Sequence, residues 1–503
     1  MTAVDWVLPS LAQLRRRATE LVAVAGTGRT SSTAYDTAHL AALRTGTGRA
    51  LFPDSVEWLR RSQHIDGSWG SSIPVVHDRL VSTLAAVVAL TGVDEPWARP
   101  ARTAGSEFIQ REAGNWAGAF PDTIGFELVV PRLLEQARAV GTALPYDALI
   151  GVEQVRAAKL AKIPSEMLFD SLGNVAFSAE FLSGHPAAQL RKLKSRNGSY
   201  ACSPSASAAA WSTTNDADTW AYLLAVTNVA GDGGAPAIYP MDVFDRAWVL
   251  GPLVETGLVE RADAHLRYLL AAVGPQGAAA SVVGPAPDAD TTAMSILVAH
   301  GLGADVRPLL DSLLAYEADD RFRCFAFERD PPISANARVA HALRLDEHRF
   351  TAQIAKVDRF LAENRDESGS WHDKWHLSPY YTTSVVVAGG LHRPWSWGAT
   401  RRWLLDTQHP DGSWGIAGGS REETAYGLDT LCRLEPAPDE NIRRSIAAAA
   451  HLLSATQADD PAELWVAKSL YAPLHVIEAG VIGALARAAT TLAGVTRHHA
   501  QAD

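Results

Sequence analysis

An eight-residue sequence that occurs twice constrains this 503-residue chain more than any other feature. Gln63-His-Ile-Asp-Gly-Ser-Trp-Gly70 recurs as Gln408-His-Pro-Asp-Gly-Ser-Trp-Gly415, and degenerate copies lie at Glu367–Trp371 and Asn197–Tyr200. Asp-Gly favours a turn at a helix end, glutamine can bond the exposed carbonyls there, and tryptophan can cover the next helix. The repeat therefore predicts stacked or toroidal pairs of helices.

The spacing of apolar residues is helical through most of the chain. Val81, Leu84, Ala85 and Val88 follow the i, i+3, i+4, i+7 pattern, and Gly92 supplies a stop. Strand-like alternation is scarce, and no rhythm of Val/Ile runs with glycine turns indicates a parallel sheet. The chain is predicted to be all-α.

Charge, cysteine content and hydropathy exclude several classes of protein. Lys and Arg number 45 against 56 Asp and Glu, a net charge of −11, which argues against a nucleic-acid partner. Cys202, Cys324 and Cys432 lie far apart without a CxxC pair, so neither a disulfide framework nor a zinc site is indicated. No run of about 18 apolar residues occurs, and the N-terminal residues lack the apolar centre of a signal peptide. We expect a cytoplasmic protein with no transmembrane segment.

The repeats resemble the QW motifs of triterpene cyclases and class II diterpene cyclases, and the bacterial members are the nearest in pattern. Further segments resemble that family in the same order along the chain: Ser32–Ala38, Asp78–Leu84, Ser203–Ser207, Tyr239–Phe244, Trp371–Tyr381 and Glu422–Tyr426. The resemblance implies two (α/α)-barrel domains, β and γ, with the active cavity between them. The β domain would comprise residues 1–27 plus 235–503 and carry the acid, and the inserted γ domain would comprise residues 28–234.

The segment Pro287-Asp288-Ala289-Asp290-Thr291-Thr292 contains the candidate acid. Prolines followed by an aspartate before an apolar-periodic helix predict Asp288 as an N-cap, and capping alone would explain an isolated pair of aspartates. The resemblance implies more, because the middle aspartate of a DxDD or DxDT-type motif protonates a terminal alkene in class II cyclases. That residue is Asp290 here, in a DxDTT variant.

An alkene is a very weak base, so its proton donor must be a protonated carboxylic acid in a poorly hydrated cavity. Burial and the neighbouring Asp288 carboxylate disfavour ionisation of Asp290, whereas the helix N-terminus favours it. A neighbouring residue that orients the acid proton would help to keep Asp290 protonated. The resemblance implies that Asn336 is this neighbour and forms a hydrogen bond with the acid.

The resemblance also implies that the diphosphate of the substrate stays intact and needs cationic side chains or Mg²⁺ at one end of the cavity. Lys374 is the strongest candidate for an anion ligand, and Lys468 and Arg79 are weaker ones. Glu127 and Asp122 are candidate Mg²⁺ ligands, although an exposed acidic face would explain them equally well.

Aromatic side chains are expected at the other end of the cavity, because ring cations are attracted to π faces. The candidates are Trp371, Trp375, Tyr380, Tyr381, Trp465 and Tyr471. Ordinary core packing would explain at least half of them, and the sequence does not separate the two groups.

The predicted function is protonation-initiated cyclisation of a linear isoprenoid diphosphate, foremost geranylgeranyl diphosphate, to a bicyclic diphosphate of labdane, halimane or clerodane type. Farnesyl diphosphate, giving a drimane-type product, is the alternative substrate. The product would pass to a class I terpene synthase or a phosphatase.

Three other functions stay open. A class I synthase would need DDxxD and NSE/DTE motifs, which the chain matches poorly. Squalene-type cyclases share the QW repeats but are longer. A non-catalytic helical-toroid binding protein would tolerate loss of Asp290.

Overall fold

The computed structural model describes residues 8–119, 121–164, 167–171, 173–325, 328, 330, 332–390, 397–456 and 461–499. The first α-helices are α1 (Leu11–Val24), α2 (Ala34–Ala41), α3 (Pro53–Arg61), α4 (Val76–Ala89), α5 (Ala98–Glu112), α6 (Phe126–Ala139), α7 (Tyr146–Leu160), α8 (Ala187–Leu190), α9 (Pro204–Thr214) and α10 (Ala217–Val226). They are followed by α11 (Asp242–Glu255), α12 (Asp263–Ala272), α13 (Ala289–Gly301), α14 (Ile333–Leu343), α15 (Thr351–Glu363), α16 (Pro379–Gly390), α17 (Gly398–Thr407), α18 (Arg421–Leu434), α19 (Glu440–Ala455) and α20 (Leu474–His499). The prediction of an all-α fold is confirmed.

Short 3₁₀ helices and two small β-ribbons complete the described elements. The 3₁₀ helices are Leu90–Gly92, Ala113–Asn115, Met167–Phe169, Asn174–Leu182, Arg191–Leu193, Arg307–Tyr316 and Arg344–Asp346. One antiparallel ribbon pairs β1 (Ser32–Thr33) with β2 (Ala235–Pro236), and the other pairs β3 (Trp465–Val466) with β4 (Leu470–Tyr471). The first ribbon joins the two ends of the segment predicted to be inserted, so the chain enters and leaves that segment at one place.

Apolar side chains form several separate cores. Leu14, Ala18 and Leu21 of α1 are buried in one core with α11, α18 and α20, far along the sequence. Another core is formed by residues between 34 and 152, and a small cluster joins Val75 to Val466 and Leu470. A domain made of residues 1–27 plus 235–503 and an inserted domain of residues 28–234 stay a prediction.

The repeated turns have the role that their composition predicts. The indole Nε1 of each motif tryptophan donates a 2.8 Å hydrogen bond to a carbonyl ten residues earlier: Trp69 to Leu59, Trp371 to Leu361 and Trp414 to Leu404. The Gln63 amide donates to the carbonyls of Gly67 and Ala101, both at 2.9 Å. Each turn thus ties the end of one helix to its neighbours.

The last helix is strongly apolar. A stretch of α20, Leu474–Gly494, is long and apolar enough to cross a membrane, and 61% of its most apolar window is buried inside the structure. This helix packs against α11 and α18. Its packing in the core explains its composition.

Candidate active site

The turn that carries the two aspartates is built as a helix start. Asp288 is the N-cap of α13, and its carboxylate accepts a 2.7 Å hydrogen bond from the Thr291 amide. The Asp288 amide donates to the Ala278 carbonyl at 2.9 Å, which anchors the turn to the preceding loop. The predicted N-cap is confirmed, and it places Asp290 in the first turn of α13.

Asp290 is held by an arginine from the next helix in the barrel. Arg338 of α14 donates from Nη1 to both carboxylate oxygens of Asp290, at 2.7 and 2.8 Å. Its Nη2 donates to the Tyr381 hydroxyl at 2.7 Å. Burial opposes a charged guanidinium, but the electrostatic attraction of Asp290 and Tyr381 and the hydrogen bonds to them together outweigh it and raise the pKa of Arg338 above its usual range. The side chains of Asp290 and Arg338 are only 13% and 7% exposed.

Two further carboxyl groups lie beside this pair. Burial raises the pKa of Asp288 to about 7, against the opposing Thr291 amide, and the charge of Asp290 adds to the rise. Burial likewise raises the pKa of Asp373 to about 6, again with a contribution from Asp290. Asp373 accepts hydrogen bonds from the Ile333 amide and the Ser334 hydroxyl at the start of α14. Asp288 and Asp373 therefore keep their protons to a higher pH than an exposed aspartate does.

An aromatic cluster, defined as His376, Tyr381, Tyr426 and Trp465, adjoins the arginine. The Tyr381 ring lies 4.3 Å from that of His376, 5.3 Å from Tyr426 and 4.9 Å from Trp465, measured between ring centroids. The Arg338 guanidinium lies 5.4 Å from the Tyr381 ring. The arrangement places a carboxyl acid beside π faces that attract cations, which suits proton delivery followed by stabilisation of a carbocation.

Comparison with known proteins identifies the family. The chain is 32% identical over 481 residues to the type B diterpene cyclase of Mycobacterium tuberculosis, covering 90% of this chain and 95% of the relative. The chain belongs to the class II diterpene cyclases. It is also 31% identical to labda-7,13-dienyl diphosphate synthase of Streptomyces clavuligerus, over 92% of this chain and 90% of that protein. No family sequence model matches the chain.

A solved structure supports the same family. The ent-copalyl diphosphate synthase of Streptomyces platensis matches this cyclase with a TM-score of 0.76 and 30% identity, over 95% of this chain and 99% of that one. Abietadiene synthase from Abies grandis shares the fold at 22% identity, with a TM-score of 0.69 over 94% of this chain and 58% of its own. The predictions of family, fold class and enzymatic function are confirmed.

Asn336 does not occupy the position that was expected in the cyclase site. Its Nδ2 donates to the carbonyls of Phe322 and Pro332 at 2.8 and 2.9 Å, and its Oδ1 accepts from the Phe322 amide at 2.8 Å. Residues two apart on a helix do not share a face, so α14 can direct only one of Asn336 and Arg338 at Asp290. The expected contact between Asn336 and the acid is corrected: the contacting residue is Arg338.

Lys374 remains the best-placed candidate for an anion ligand. Its Nζ contacts the Glu328 carboxylate and donates to the Asp330 carbonyl, and it lies 4.8 Å from the Trp375 ring. Its side chain is 27% exposed, so Lys374 is not enclosed in the interior as Lys468 is. Burial raises the pKa of Glu328, and Lys374 opposes that rise.

Lys468 is not available to a substrate. The side chain is 1% exposed, and Nζ donates to the Glu180 carboxylate, the hydroxyls of Ser203 and Ser205, and the Phe177 carbonyl. An ammonium group has three hydrogens to donate, and these four acceptors use all of them. The prediction of Lys468 as an anion ligand is therefore corrected, since it ties the β3–β4 turn to the segment of residues 28–234.

Two other predicted ligands belong to the repeated turns. Arg79 is buried, and it donates to the Ser68 hydroxyl and the Ser72 carbonyl. Trp371 is fully buried as the tryptophan of the third turn. Both hold backbone in place, and their predicted contact with substrate is corrected.

The remaining aromatic candidates lie in three places: beside Trp403, beside Lys374, and in or next to the aromatic cluster. Tyr380 stacks on Trp403 at 4.7 Å, on the side of α16 away from Arg338. Trp375 lies beside Lys374, and its buried indole Nε1 has no hydrogen-bond partner in the described part of the chain. Tyr381 and Trp465 belong to the aromatic cluster, and Tyr471 lies 6.5 Å from Trp465.

The predicted magnesium ligands do not form a site. Glu127 is paired with Lys159, while Asp122 is 73% exposed beside His77. Within the described ranges, no group of three or more His, Cys, Asp or Glu side chains is placed to hold a metal. The assignment of Glu127 and Asp122 as Mg²⁺ ligands is corrected, because Lys159 already pairs with the Glu127 carboxylate and Asp122 lies beside His77 on the surface.

The residues that sequence reasoning missed are Arg338, Trp248 and Glu422. Arg338 lies 4.8 Å from the Trp248 ring. Arg338 lies two residues after the candidate Asn336, and Glu422 begins a segment that resembles the family, but 48 residues separate Arg338 from Asp290. Only the packing of α13 against α14 shows that they meet.

Proposed function

We propose that this cyclase converts geranylgeranyl diphosphate to a bicyclic diterpenyl diphosphate of labdane, halimane or clerodane type and retains the diphosphate. The printed names of its relatives support this substrate class: a diterpene cyclase, a labdadienyl diphosphate synthase and an ent-copalyl diphosphate synthase. The relatives do not favour a farnesyl substrate or a non-catalytic role. The observation that carries the proposal is the contact of Asp290 with Arg338 beside the aromatic cluster.

The reaction is an isomerisation that begins and ends with a proton transfer. The protonated carboxyl of Asp290 gives its proton to the terminal alkene, whose π electrons form the new C–H bond and leave a tertiary cation. Neighbouring double bonds attack in turn and close two rings. Loss of a proton from carbon then forms the product alkene. Arg338 stabilises the Asp290 carboxylate that the first step leaves behind.

Asp290 must be reprotonated after each turnover. Burial raises the pKa of Asp288 to about 7, and the charge of Asp290 adds to the rise, so Asp288 can hold a proton in weakly acidic solution. We propose that Asp288 holds the proton at rest and that Asp290 receives it when Arg338 gives up one of its two bonds.

The anion end of the cavity is proposed at Lys374. Mg²⁺ would accompany the diphosphate, since the substrate carries about three negative charges and the chain is acidic overall. Because the predicted carboxylates do not fit a Mg²⁺ site, no step is assigned to the metal. Lys374→Ala and addition of a chelator should each raise KM and leave kcat nearly unchanged. A collapse of kcat with KM unchanged would contradict this placement.

The test of the proposed function is incubation in D₂O. Purified protein is given geranylgeranyl or farnesyl diphosphate, and the product is treated with phosphatase and examined by mass spectrometry. We expect a cyclised C20 alcohol that carries one solvent-derived deuterium on carbon, with no stoichiometric release of pyrophosphate. Pyrophosphate release without deuterium would assign the protein to the ionising class I reaction. Cyclisation of the C15 substrate alone would overturn the C20 assignment.

The cellular setting follows from the same proposal. We propose a cytoplasmic location, supported by the packing of α20 in the core. The product keeps a reactive allylic diphosphate, so an enzyme that ionises or hydrolyses it must act next. A class I synthase or a phosphatase has that chemistry.

A further inference from the structure

Glu422 is a buried carboxylate on the far side of the aromatic cluster from Asp290. It is 3% exposed and lies in the first turn of α18. Its Oε1 accepts hydrogen bonds from Trp465 Nε1 at 2.7 Å, the Tyr426 hydroxyl at 3.0 Å and His376 Nε2 at 3.2 Å. Its Oε2 is buried and accepts no hydrogen bond within the described part of the chain.

The three donors to Glu422 are neutral. Indole and phenol carry no charge, and the histidine tautomer follows from its second contact. His376 Nδ1 accepts a 3.0 Å hydrogen bond from the Ser378 amide, so the ring proton lies on Nε2 and the imidazole is neutral. Among the described residues, no lysine or arginine forms an ion pair with Glu422. A buried carboxylate without a cation is costly, and such groups concentrate at functional sites.

Glu422 adds a negative charge to a site that already contains the ion pair of Asp290 and Arg338. When Asp290 is protonated and ready to react, the proposed proton transfer leaves Asp288 as a carboxylate beside it. After proton transfer to the alkene, the Asp290 carboxylate pairs with Arg338, and the ring cation adds one positive charge. Glu422 is then a negative charge in contact with the aromatic cluster, where it can oppose that cation.

We infer that Glu422 stabilises the ring cation formed late in the cyclisation, acting through the rings of Trp465 and Tyr426. This inference rests on the proposed function. A hydrogen bond to a carboxylate makes an indole or phenol ring richer in electrons, which strengthens its attraction for a cation. Because Oε2 is buried, Glu422 acts through these rings, and it is a positioning residue.

The test compares Glu422→Gln with Glu423→Gln. Gln is close to Glu in shape and keeps an acceptor oxygen, so Glu422→Gln removes the charge with little change in packing. Glu423 is an adjacent buried carboxylate, but it accepts from the Ile416 amide at 3.1 Å and the Ser420 hydroxyl at 2.9 Å, within the turn that starts α18. It is the matched control for loss of a buried charge.

We expect Glu422→Gln to lower kcat by about 10²-fold and to divert part of the product to monocyclic or hydroxylated forms, because an electrostatic contact to the transition state is lost. Glu423→Gln should keep the wild-type product ratio. Tyr426→Phe, which keeps the ring and loses one bond to Glu422, should shift the product ratio in the same direction to a smaller extent.

A binding measurement separates electrostatics from structure. The probes are a diphosphate with a protonated bicyclic tertiary amine and its uncharged carbon analogue. Wild type should prefer the ammonium by about tenfold, and Glu422→Gln should lose that preference. An unchanged preference, an unchanged product ratio, or equal losses in the two Gln variants would overturn the inference. If wild type fails to cyclise geranylgeranyl diphosphate, the proposed function fails instead, which is a different result.

Discussion

The turn at Trp414 and the turn at Asp290 show two ways of using a polar loop before a helix. At Trp414, Asp411 accepts from the Ser413 amide and the indole reaches the Leu404 carbonyl, so the partners lie within about ten residues. At Asp290, the partner is Arg338, and the arginine also contacts Tyr381. At the first turn the aspartate and the tryptophan bond locally, and Gln408 adds a 3.1 Å bond to the Ser445 carbonyl of α19, whereas at the second turn the partner of the acid comes from another helix. A locally closed turn stabilises the fold, and a turn open to distant residues can carry chemistry.

The largest effect is expected from Asp290→Asn. The amide cannot donate an acidic proton, so kcat should fall at least about 10³-fold, as for loss of a general acid that has no substitute. Circular dichroism should stay near that of wild type, because Asp288 still caps α13, whereas Tm should fall, since the buried Arg338 loses its charged partner at a cost of about 3–5 kcal/mol. Asp305→Asn is the control, since that aspartate is 59% exposed. Turnover above a tenth of wild type would show that Asp290 is not the acid.

Arg338→Lys tests the role of the arginine at the Asp290 turn. Lysine keeps the positive charge but cannot contact both Asp290 oxygens and the Tyr381 hydroxyl in one plane. We expect kcat to fall about 10- to 10²-fold, with KM little changed, because the arginine acts on the acid and not on the diphosphate. Steady-state kinetics measure both constants. A rise in KM alone would place Arg338 at the anion end.

The pH dependence tests the pair Asp288 and Asp290. Burial raises the pKa of Asp288 to about 7, so kcat/KM should fall as pH rises through that value. Asp288→Asn should move this fall to lower pH. Because the raised pKa favours the folded state only while the group is protonated, stability falls as pH rises from about 4 to 7, by about 2–4 kcal/mol relative to Asp288→Asn. Denaturant unfolding at several pH values measures it, and parallel curves for the two proteins would contradict the assignment.

The smallest effect on activity is expected at the closed turns. Trp414→Phe and Trp69→Phe each remove one indole hydrogen bond and leave a buried carbonyl unpaired. Each should lower the free energy of unfolding by about 1–3 kcal/mol. The product ratio should stay that of wild type. A changed product ratio in either variant would show that the turns also shape the cavity.

The sequence predicted the parts of the molecule that depend on near neighbours. The helical periodicity, the repeated turns and the Asp288 cap all rest on contacts a few residues apart, and the structure has them. Asn336 was assigned because the family resemblance implies it, and the rotation of α14, which turns Arg338 toward Asp290 instead, is set by packing that spacing does not encode. Lys468 and Arg79 were assigned as anion ligands because their charge is visible in sequence, whereas their burial depends on distant chain segments.

The Lys468 contact has a consequence for how such a cyclase can be rebuilt. Its ammonium comes from the β3–β4 turn, and its acceptors Glu180, Ser203 and Ser205 come from the other part of the chain. A chimaera that joins the two parts from different relatives inherits half of this buried contact from each parent. An unmatched half leaves a charge without a partner in the interior, at a cost of about 3–5 kcal/mol. Recombination between family members therefore has to take Lys468, Glu180, Ser203 and Ser205 from the same parent. Exchanges confined to the aromatic cluster leave this buried contact unchanged.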